Sequence, residues 1–273
     1  MKTFVINLKR SQERRKHIEG QLSTLGIQFE IIDAVDGSEL SEETINNFKN
    51  IRKAAYPKKD RRAWDVSDGV IGCALSHLKA YQEIINRDIE ISIILEDDAA
   101  LSKGLLKLYD PLLINRIKNI HNLDILQLAA VKQHFAYLPQ LKYRGRQKIA
   151  EGMTIGMPAK TVPGTCCYLI TLEGAKKLLQ ASQPLRYSSD QLLANSEYFD
   201  SGLWVAKQPL CFQNRELSST IENRIHDHRK VSKRLKGLWG KLQHRLSIKR
   251  QLAKLGWIPY IDQSILKIGR AHV

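Results

Sequence analysis

The chain opens on a short apolar run over residues 3–8 (TFVINL), of the type that forms a buried strand, and then turns polar. Ser11 stands where a helix cap is wanted, and the spacing predicts a helix over residues 11–25 that Gly26 closes. A second buried run, residues 29–35 (FEIIDAV), ends in the turn pair Asp36-Gly37, so the chain begins β-α-β. Ser41 is placed to cap a further helix to residue 48. Residues 52–68 carry charges and a proline without any period, which predicts a mobile surface loop. From 69 to 88 the apolar positions Ile71, Leu75, Leu78, Tyr81, Ile84 and Ile85 recur at helical spacing. Residues 91–95 (ISIIL) follow as a continuous apolar run, typical of a central parallel strand. Helical patterning over 102–118, a strand at 124–130, weak patterning over 132–165 and a strand at 166–170 come next. Thr171 is placed to cap a helix to about 181, and Ser189 another that begins with Asp190. Short strands at 204–206 and 210–212 close the series. Alternating strands and helices over residues 1–215 predict an α/β sandwich.

Beyond residue 222 the pattern changes. Val231, Leu235, Leu238, Trp239, Leu242, Leu246 and, after a phase slip, Leu252 and Leu255 repeat every three or four residues among lysines and arginines. That is the pattern of a basic amphipathic helix, which binds a membrane surface or packs its leucines on the preceding domain. The expected organisation is therefore a domain over 1–222 and a basic helical segment over 223–273.

Charge sharpens this division. The chain of 273 residues carries a formal +15, and residues 224–254 hold eleven Lys/Arg against Asp227 alone, or +10, leaving +5 for everything else. Such a bias predicts contact with phosphate, nucleic acid or an anionic membrane. With 43% hydrophobic and 26% charged residues the composition is that of a globular protein. No apolar run reaches the ~18 residues of a membrane span. The opening lacks the features of a signal peptide, so a cytoplasmic location is expected. The four cysteines show no CxxC pairing and read as reduced, mostly buried thiols.

Candidate chemistry gathers at two places. Glu96, Asp97 and Asp98 follow the apolar run at its carboxyl end, where an open parallel sheet has its ligand crevice. Strand alternation would turn Glu96 and Asp98 to one side and Asp97 to the other. Two hard oxygen ligands on one face suit Mg²⁺ or Mn²⁺ with phosphate oxygens completing the shell; the alternative is a solvated turn. Lys9, Arg10, Arg14, Arg15 and Lys16 crowd the first βα turn, a ready anion site. Arg10 and Arg14, one turn apart, are placed to serve one phosphate together, whereas Arg15 and Lys16 read as a solvated face. Ser76 and His77 lie on the long helix, where a histidine is ordinarily a packed core residue.

Four blocks in this order resemble glycosyltransferase family 25, the bacterial lipopolysaccharide and lipooligosaccharide galactosyltransferases with their collagen-modifying relatives. They are FVINLKRSQERRKHIEGQL, FEIIDAVDG, GVIGCALSHLKAYQEII with ISIILEDDA, and GTCCYLITLEGAKKLL followed by Asp190. The resemblance spans residues 3–220 and leaves the basic segment out. It implies a GT-A-type fold, a Rossmann-like mixed sheet flanked by helices, and inverting transfer from a UDP-sugar with Mn²⁺ or Mg²⁺ as cofactor. Carried over, Glu96 to Asp98 take the place of the DxD element. Asp98, with Glu96 as second candidate, would ligate the metal, and Glu96 or Asp97 would hold the ribose or support the metal. A glutamate in first position leaves the direct ligand open. Asn7, Arg10 and Arg14 would contact uracil, ribose or diphosphate, with Ser76 and His77 as further donor contacts. Asp190 is the candidate general base, plain helix capping being the alternative. His226 and His228 are either a late metal ligand or part of the basic segment. The expected partners are UDP-galactose, with UDP-glucose the rival donor, a lipid-linked oligosaccharide acceptor, and the anionic inner face of the membrane. A non-enzymatic nucleic-acid-binding protein is the rival class, set aside because the charge is confined to one segment and no binding motif accompanies it.

Overall fold

The computed structural model describes residues 1–55, 66–130, 143–158, 162, 164–194 and 202–214. Strand β1 (Lys2–Asn7), helix α1 (Gln12–Thr24) and strand β2 (Glu30–Asp33) form the expected opening, with β1 and β2 parallel. Helices α2 (Glu42–Ala55) and α3 (Asp68–Asn86) lead to β3 (Ile91–Glu96), which lies parallel to β1 on its other side. After β4 (Ala99–Leu101), α4 (Pro111–Lys118), β5 (Ile125–Gln127) and β6 (Ala129–Ala130) come β7 (Tyr143–Ala150), β8 (Met153–Pro158) and β9 (Cys167–Thr171). Helices α5 (Leu172–Ala181) and α6 (Ser189–Ala194) and strands β10 (Leu203–Ala206) and β11 (Cys211–Gln213) complete the series.

The main sheet has eight strands in the order β2-β1-β3-β9-β5-β10-β8-β7, and β4-β11-β6 form a second, three-stranded sheet. Strand β9 runs antiparallel between β3 and β5, so the sheet is mixed. Alternation assigns its two faces. Val5, Ile93 and Leu95 pack with Ile18 and Leu22 of α1 and Leu113 and Ile117 of α4. Phe4, Ile6 and Ile94 pack with Ala80, Tyr81 and Ile84 of α3, Leu178 of α5 and Leu192 of α6. This mixed sheet flanked by helices is the architecture expected of the GT-A type.

Several local expectations change. Residues 52–55 are not loop but the last turn of α2, and Arg52 is buried there, its guanidinium donating to the Arg186 carbonyl and to Gln191 Oε1, both at 2.7 Å. The helical stretch at 102–118 is a 3₁₀ segment (Lys103–Tyr109) and then α4, because Pro111 starts a new helix that Asp110 caps through Leu112 N. The strand at 124–130 divides between the two sheets. The hairpin β7–β8 lies in the weakly patterned region. There β7 is an exposed edge strand whose Arg144, Arg146 and Lys148 hide the apolar alternation while protecting the edge. Ser11 makes no side-chain cap bond, whereas Ser41 and Thr171 cap as expected, through Thr44 N and Gly174 N. Ser189 is the first residue of α6, its hydroxyl 3.3 Å from Cys73 Sγ.

One close approach fixes α3 against the end of β2. A Cβ on Gly72 would stand 2.6 Å from the Val35 carbonyl oxygen and 2.7 Å from Gly37 N, so only glycine fits. Ser76 secures the same seam: its buried hydroxyl donates to the Gly72 carbonyl at 2.7 Å and accepts from Val35 N at 2.8 Å.

Candidate active site

Because β1 and β3 are parallel neighbours with Ile6 opposite Glu96, their carboxyl ends bring Asn7 beside the acidic triplet. Asn7 Nδ2 donates to Asp97 Oδ2 at 2.8 Å. Arg14, in the first turns of α1, reaches across to both aspartates, with Nη1 2.8 Å from Asp97 Oδ1 and Nη2 2.6 Å from Asp98 Oδ2. Gln213 of β11 donates to the same Asp98 oxygen at 3.1 Å, and Asn214 N donates to the Asp98 carbonyl at 2.7 Å. Glu96 looks the other way, toward His77 Nε2 at 3.2 Å and the Thr165 hydroxyl. The expected division of Glu96 and Asp98 from Asp97 is therefore corrected. The strand ends at Glu96, and a turn replaces the two-residue period, so Asp97 and Asp98 share one guanidinium.

Arg10 and Arg14 do not converge on one point. Arg10 precedes α1, outside its helical period, and its Nε pairs with Asp36 Oδ2 at 2.5 Å on the exposed rim. Lys9 pairs with Asp33. His77 is fully buried in the core. Its Nδ1 lies 2.7 Å from the Tyr168 hydroxyl, its ring stacks on Tyr168, and that hydroxyl meets Tyr81 at 2.9 Å. Ser76 belongs to the α3–β2 seam rather than to this cluster. Asp190, exposed on α6, is joined to the triplet by Thr165, whose hydroxyl lies 3.2 Å from Asp190 Oδ1 while it bonds Glu96 Oε1. Thr165, Gln213 and Cys73 complete this neighbourhood and were not anticipated. Thr165 and Cys73 sit inside the quoted GTCC and GCALSH blocks, which is the signal that marks them. Gln213 carries none.

Three consecutive carboxylates, two of them paired with one partly buried guanidinium, leave an excess of negative charge. Burial pushes the Asp98 carboxyl well above the usual range, and the charge of Glu96 adds to that. Burial also raises Asp97, against the opposing pull of Arg14. At Glu96 burial acts in the same sense, but hydrogen bonds from His77 and Thr165 with the charges of His77 and Arg14 outweigh it and hold the carboxyl below its ordinary value. Among the described residues, Asp98 Oδ1 and Asn7 Oδ1 are buried oxygens with no hydrogen-bond partner. Orphaned oxygen acceptors beside surplus negative charge are what a hard divalent cation requires, so the residues present fit Mg²⁺ or Mn²⁺. His226, His228 and the basic segment 223–273 lie outside the described residues. Among those described, no helix is long and apolar enough to cross a membrane.

The arrangement has relatives. Residues 1–193 match the sequence profile of glycosyltransferase family 25 (LPS biosynthesis protein). The chain is similar to procollagen galactosyltransferase 1-B of Xenopus laevis, 32% identical over 194 residues that cover 67% of this chain and 28% of that protein. It is 30% identical over 192 residues to the human protein named inactive glycosyltransferase 25 family member 3, covering 67% of this chain and 29% of the relative. The chain thus matches less than a third of the length of either. Among solved structures, an active-site mutant of LgtC aligns with a TM-score of 0.39 at 15% identity, covering 75% of this chain and 72% of the other. The profile match takes in Asn7, Arg14, His77, the acidic triplet and Asp190, and on that match the chain belongs to glycosyltransferase family 25.

Proposed function

We propose that the protein is an inverting galactosyltransferase that moves galactose from UDP-galactose to a terminal sugar of a lipopolysaccharide or lipooligosaccharide core. Family membership supports sugar transfer, and the galactosyltransferase among the relatives supports the donor. The observation that carries the reading is Asp98 Oδ1, a buried carboxylate oxygen without a hydrogen bond at the carboxyl end of β3. Asp98 would hold Mn²⁺ or Mg²⁺, whereas Glu96, expected as the second carboxylate, is turned to His77 and Thr165; the ion would neutralise the charge that develops on UDP as it leaves. Asn7 and Arg14 hold the aspartates in place through the bonds already described. Arg10 at the rim stands ready for the nucleotide side of the donor, and His77 Nε2 orients Glu96. Asp190 is exposed, on the acceptor side of the cluster, and its carboxylate takes the proton of the attacking hydroxyl. The Thr165 hydroxyl has one proton to give, to Glu96 or to this carboxylate 3.2 Å away, and so connects the two acids. The basic segment 223–273 keeps the enzyme at the anionic inner face of the membrane, where a lipid-linked acceptor resides.

The test is a panel of UDP-sugars with the full chain and a delipidated core oligosaccharide, in Mn²⁺ and in EDTA, with the product read by mass spectrometry and its anomer by NMR. Metal-dependent transfer from UDP-galactose with inversion is expected. Preference for UDP-glucose would replace the donor. Transfer from no UDP-sugar under any metal would overturn the reading.

A further inference from the structure

We propose that Cys73, His77 and Glu96 form a second metal site, for a borderline-soft ion of the Zn²⁺ type, beside the oxygen-only site of Asp98. Cys73 and His77 are four residues apart on α3 and so share one helix face. The last residue of β3 carries Glu96 up to that face. The Cys73 sulfur, a His77 ring nitrogen and a Glu96 carboxylate oxygen all lie within 4.8 Å of one another, with His77 Nε2 and Glu96 Oε1 3.2 Å apart. Zinc bonds of about 2.0–2.3 Å in a tetrahedron place ligand atoms about 3.3–3.8 Å apart, so closing the site asks for movements of about 1 Å. A χ1 adjustment of Cys73 and Glu96 supplies them, since both are only partly buried.

His77 is held ready for such a role. Its Nδ1 meets the Tyr168 hydroxyl at 2.7 Å, and Tyr81 stands behind that hydroxyl at 2.9 Å, which leaves Nε2 as the nitrogen that faces the cluster. A partner on the far nitrogen is the usual surrounding of a metal-bound histidine. Burial, with the charges of Glu96, Asp190 and Asp98, holds the Cys73 thiol above its ordinary range, so the ion binds by displacing the thiol proton to solvent, and those same charges favour a cation there. Sulfur and imidazole together select Zn²⁺ over Mg²⁺ or Mn²⁺. Three protein ligands leave a fourth position for solvent or a substrate oxygen. The site stands on these contacts and not on the sugar-transfer reading.

The experiment uses the metal-stripped full chain without UDP, with Co²⁺ as the spectroscopic substitute for Zn²⁺. One equivalent of Co²⁺ is expected to give a thiolate-to-cobalt charge-transfer band in the near ultraviolet, and Zn²⁺ to abolish it. The band should vanish in Cys73→Ser. In Tyr168→Phe it should persist with affinity about 10- to 100-fold lower, the usual effect of removing such an outer partner. In the unaltered protein, Zn²⁺ should slow maleimide labelling of the Cys73 peptide at least about tenfold by mass spectrometry, by the same coordination. The proposal is overturned by the absence of a thiolate band, or by labelling equal with and without Zn²⁺. It is overturned too by a band that survives in Cys73→Ser, which would point to Cys166 and Cys211, whose sulfurs lie 3.9 Å apart. Failure here leaves sugar transfer untouched, because turnover is read in a separate assay.

Discussion

Replacing Asp98 by asparagine should stabilise the metal-free protein at neutral pH while abolishing the function proposed for it. In the folded chain the Asp98 carboxyl is raised from 3.8 to about 6, first by burial and then by the charge of Glu96. The folded state therefore holds this proton more tightly than the unfolded chain does. Stability is thus lost as pH climbs from about 4 to about 6, where the unfolded chain gives up this proton before the folded one, and the loss persists at pH 7. The full interval corresponds to roughly 3 kcal/mol. The 2.6 Å pair with Arg14 is already inside that balance, since its attraction lowers the value and burial still prevails. Asparagine keeps an oxygen for the Gln213 amide and needs no counter-charge, and Arg14 keeps Asp97. The expected gain is about 1–3 kcal/mol at pH 7, or several degrees in midpoint for a domain of this size. Thermal and urea unfolding of both forms in EDTA, from pH 4 to pH 8, measures it. The difference should be small at pH 4 and grow through pH 6. Adding Mn²⁺ with UDP should then raise the midpoint of the parent chain only. A variant less stable than the parent at pH 7, or a difference that ignores pH, would refute the reasoning.

Three further outcomes are expected. Asp190→Asn should keep UDP and metal affinity and lose about 10² in turnover, the usual share of a general base; a parallel loss of donor binding would make the residue structural. Gly72→Ala should lower the unfolding free energy by about 2 kcal/mol or more, because its Cβ meets backbone at 2.6 and 2.7 Å that cannot yield as a side chain would; unchanged stability in urea unfolding would mean that α3 and the end of β2 separate freely. Removing residues 224–273 should leave transfer to a soluble acceptor intact and reduce co-sedimentation with anionic vesicles, increasingly so at low salt, since each Lys/Arg near the leaflet contributes up to about 1 kcal/mol. Equal sedimentation of both forms would exclude this segment as the membrane contact.

Which parts of this structure the sequence reveals follows from what a periodic pattern reports. Phe4, Val5 and Ile6, or Ile93, Ile94 and Leu95, form unbroken apolar runs because the strands are buried on both faces, so β1 and β3 are visible at once. Their parallel pairing then places the acidic triplet at the carboxyl end of β3, next to the end of β1. Polar partners are another matter. Nothing near Arg14 in the chain indicates that it meets Asp97 and Asp98, 83 and 84 residues on, because that contact depends on how α1 docks. Arg52 sits in a charged stretch and is nonetheless buried, since a carbonyl and a carboxamide from beyond residue 185 receive it. Strand β7 escapes notice for the opposite reason: an edge strand has little to bury. Period-2 reasoning fails at Asp98 because it holds only while the backbone stays extended.

The two accounts of Arg14 can be joined. From the sequence, Arg14 is expected to contact the donor's phosphates, and its bonds in the structure, near the start of α1, are those of a counter-ion to Asp97 and Asp98. On the proposed reaction these are two loads of one site. Without donor, the acids need a cation nearby, and the partly buried Arg14 is the one that pairs with Asp97 and Asp98. On the proposed function, a divalent ion held by Asp98 would meet that requirement, and the guanidinium would keep Asp97 through Nη1 while Nη2 became available to a phosphate oxygen. Metal and diphosphate would then bind together and poorly apart, since each removes the charge imbalance that the other leaves. A surplus of carboxylates over arginines is thus a cost in the empty protein and, on the proposed function, would be the origin of that mutual dependence in the loaded one.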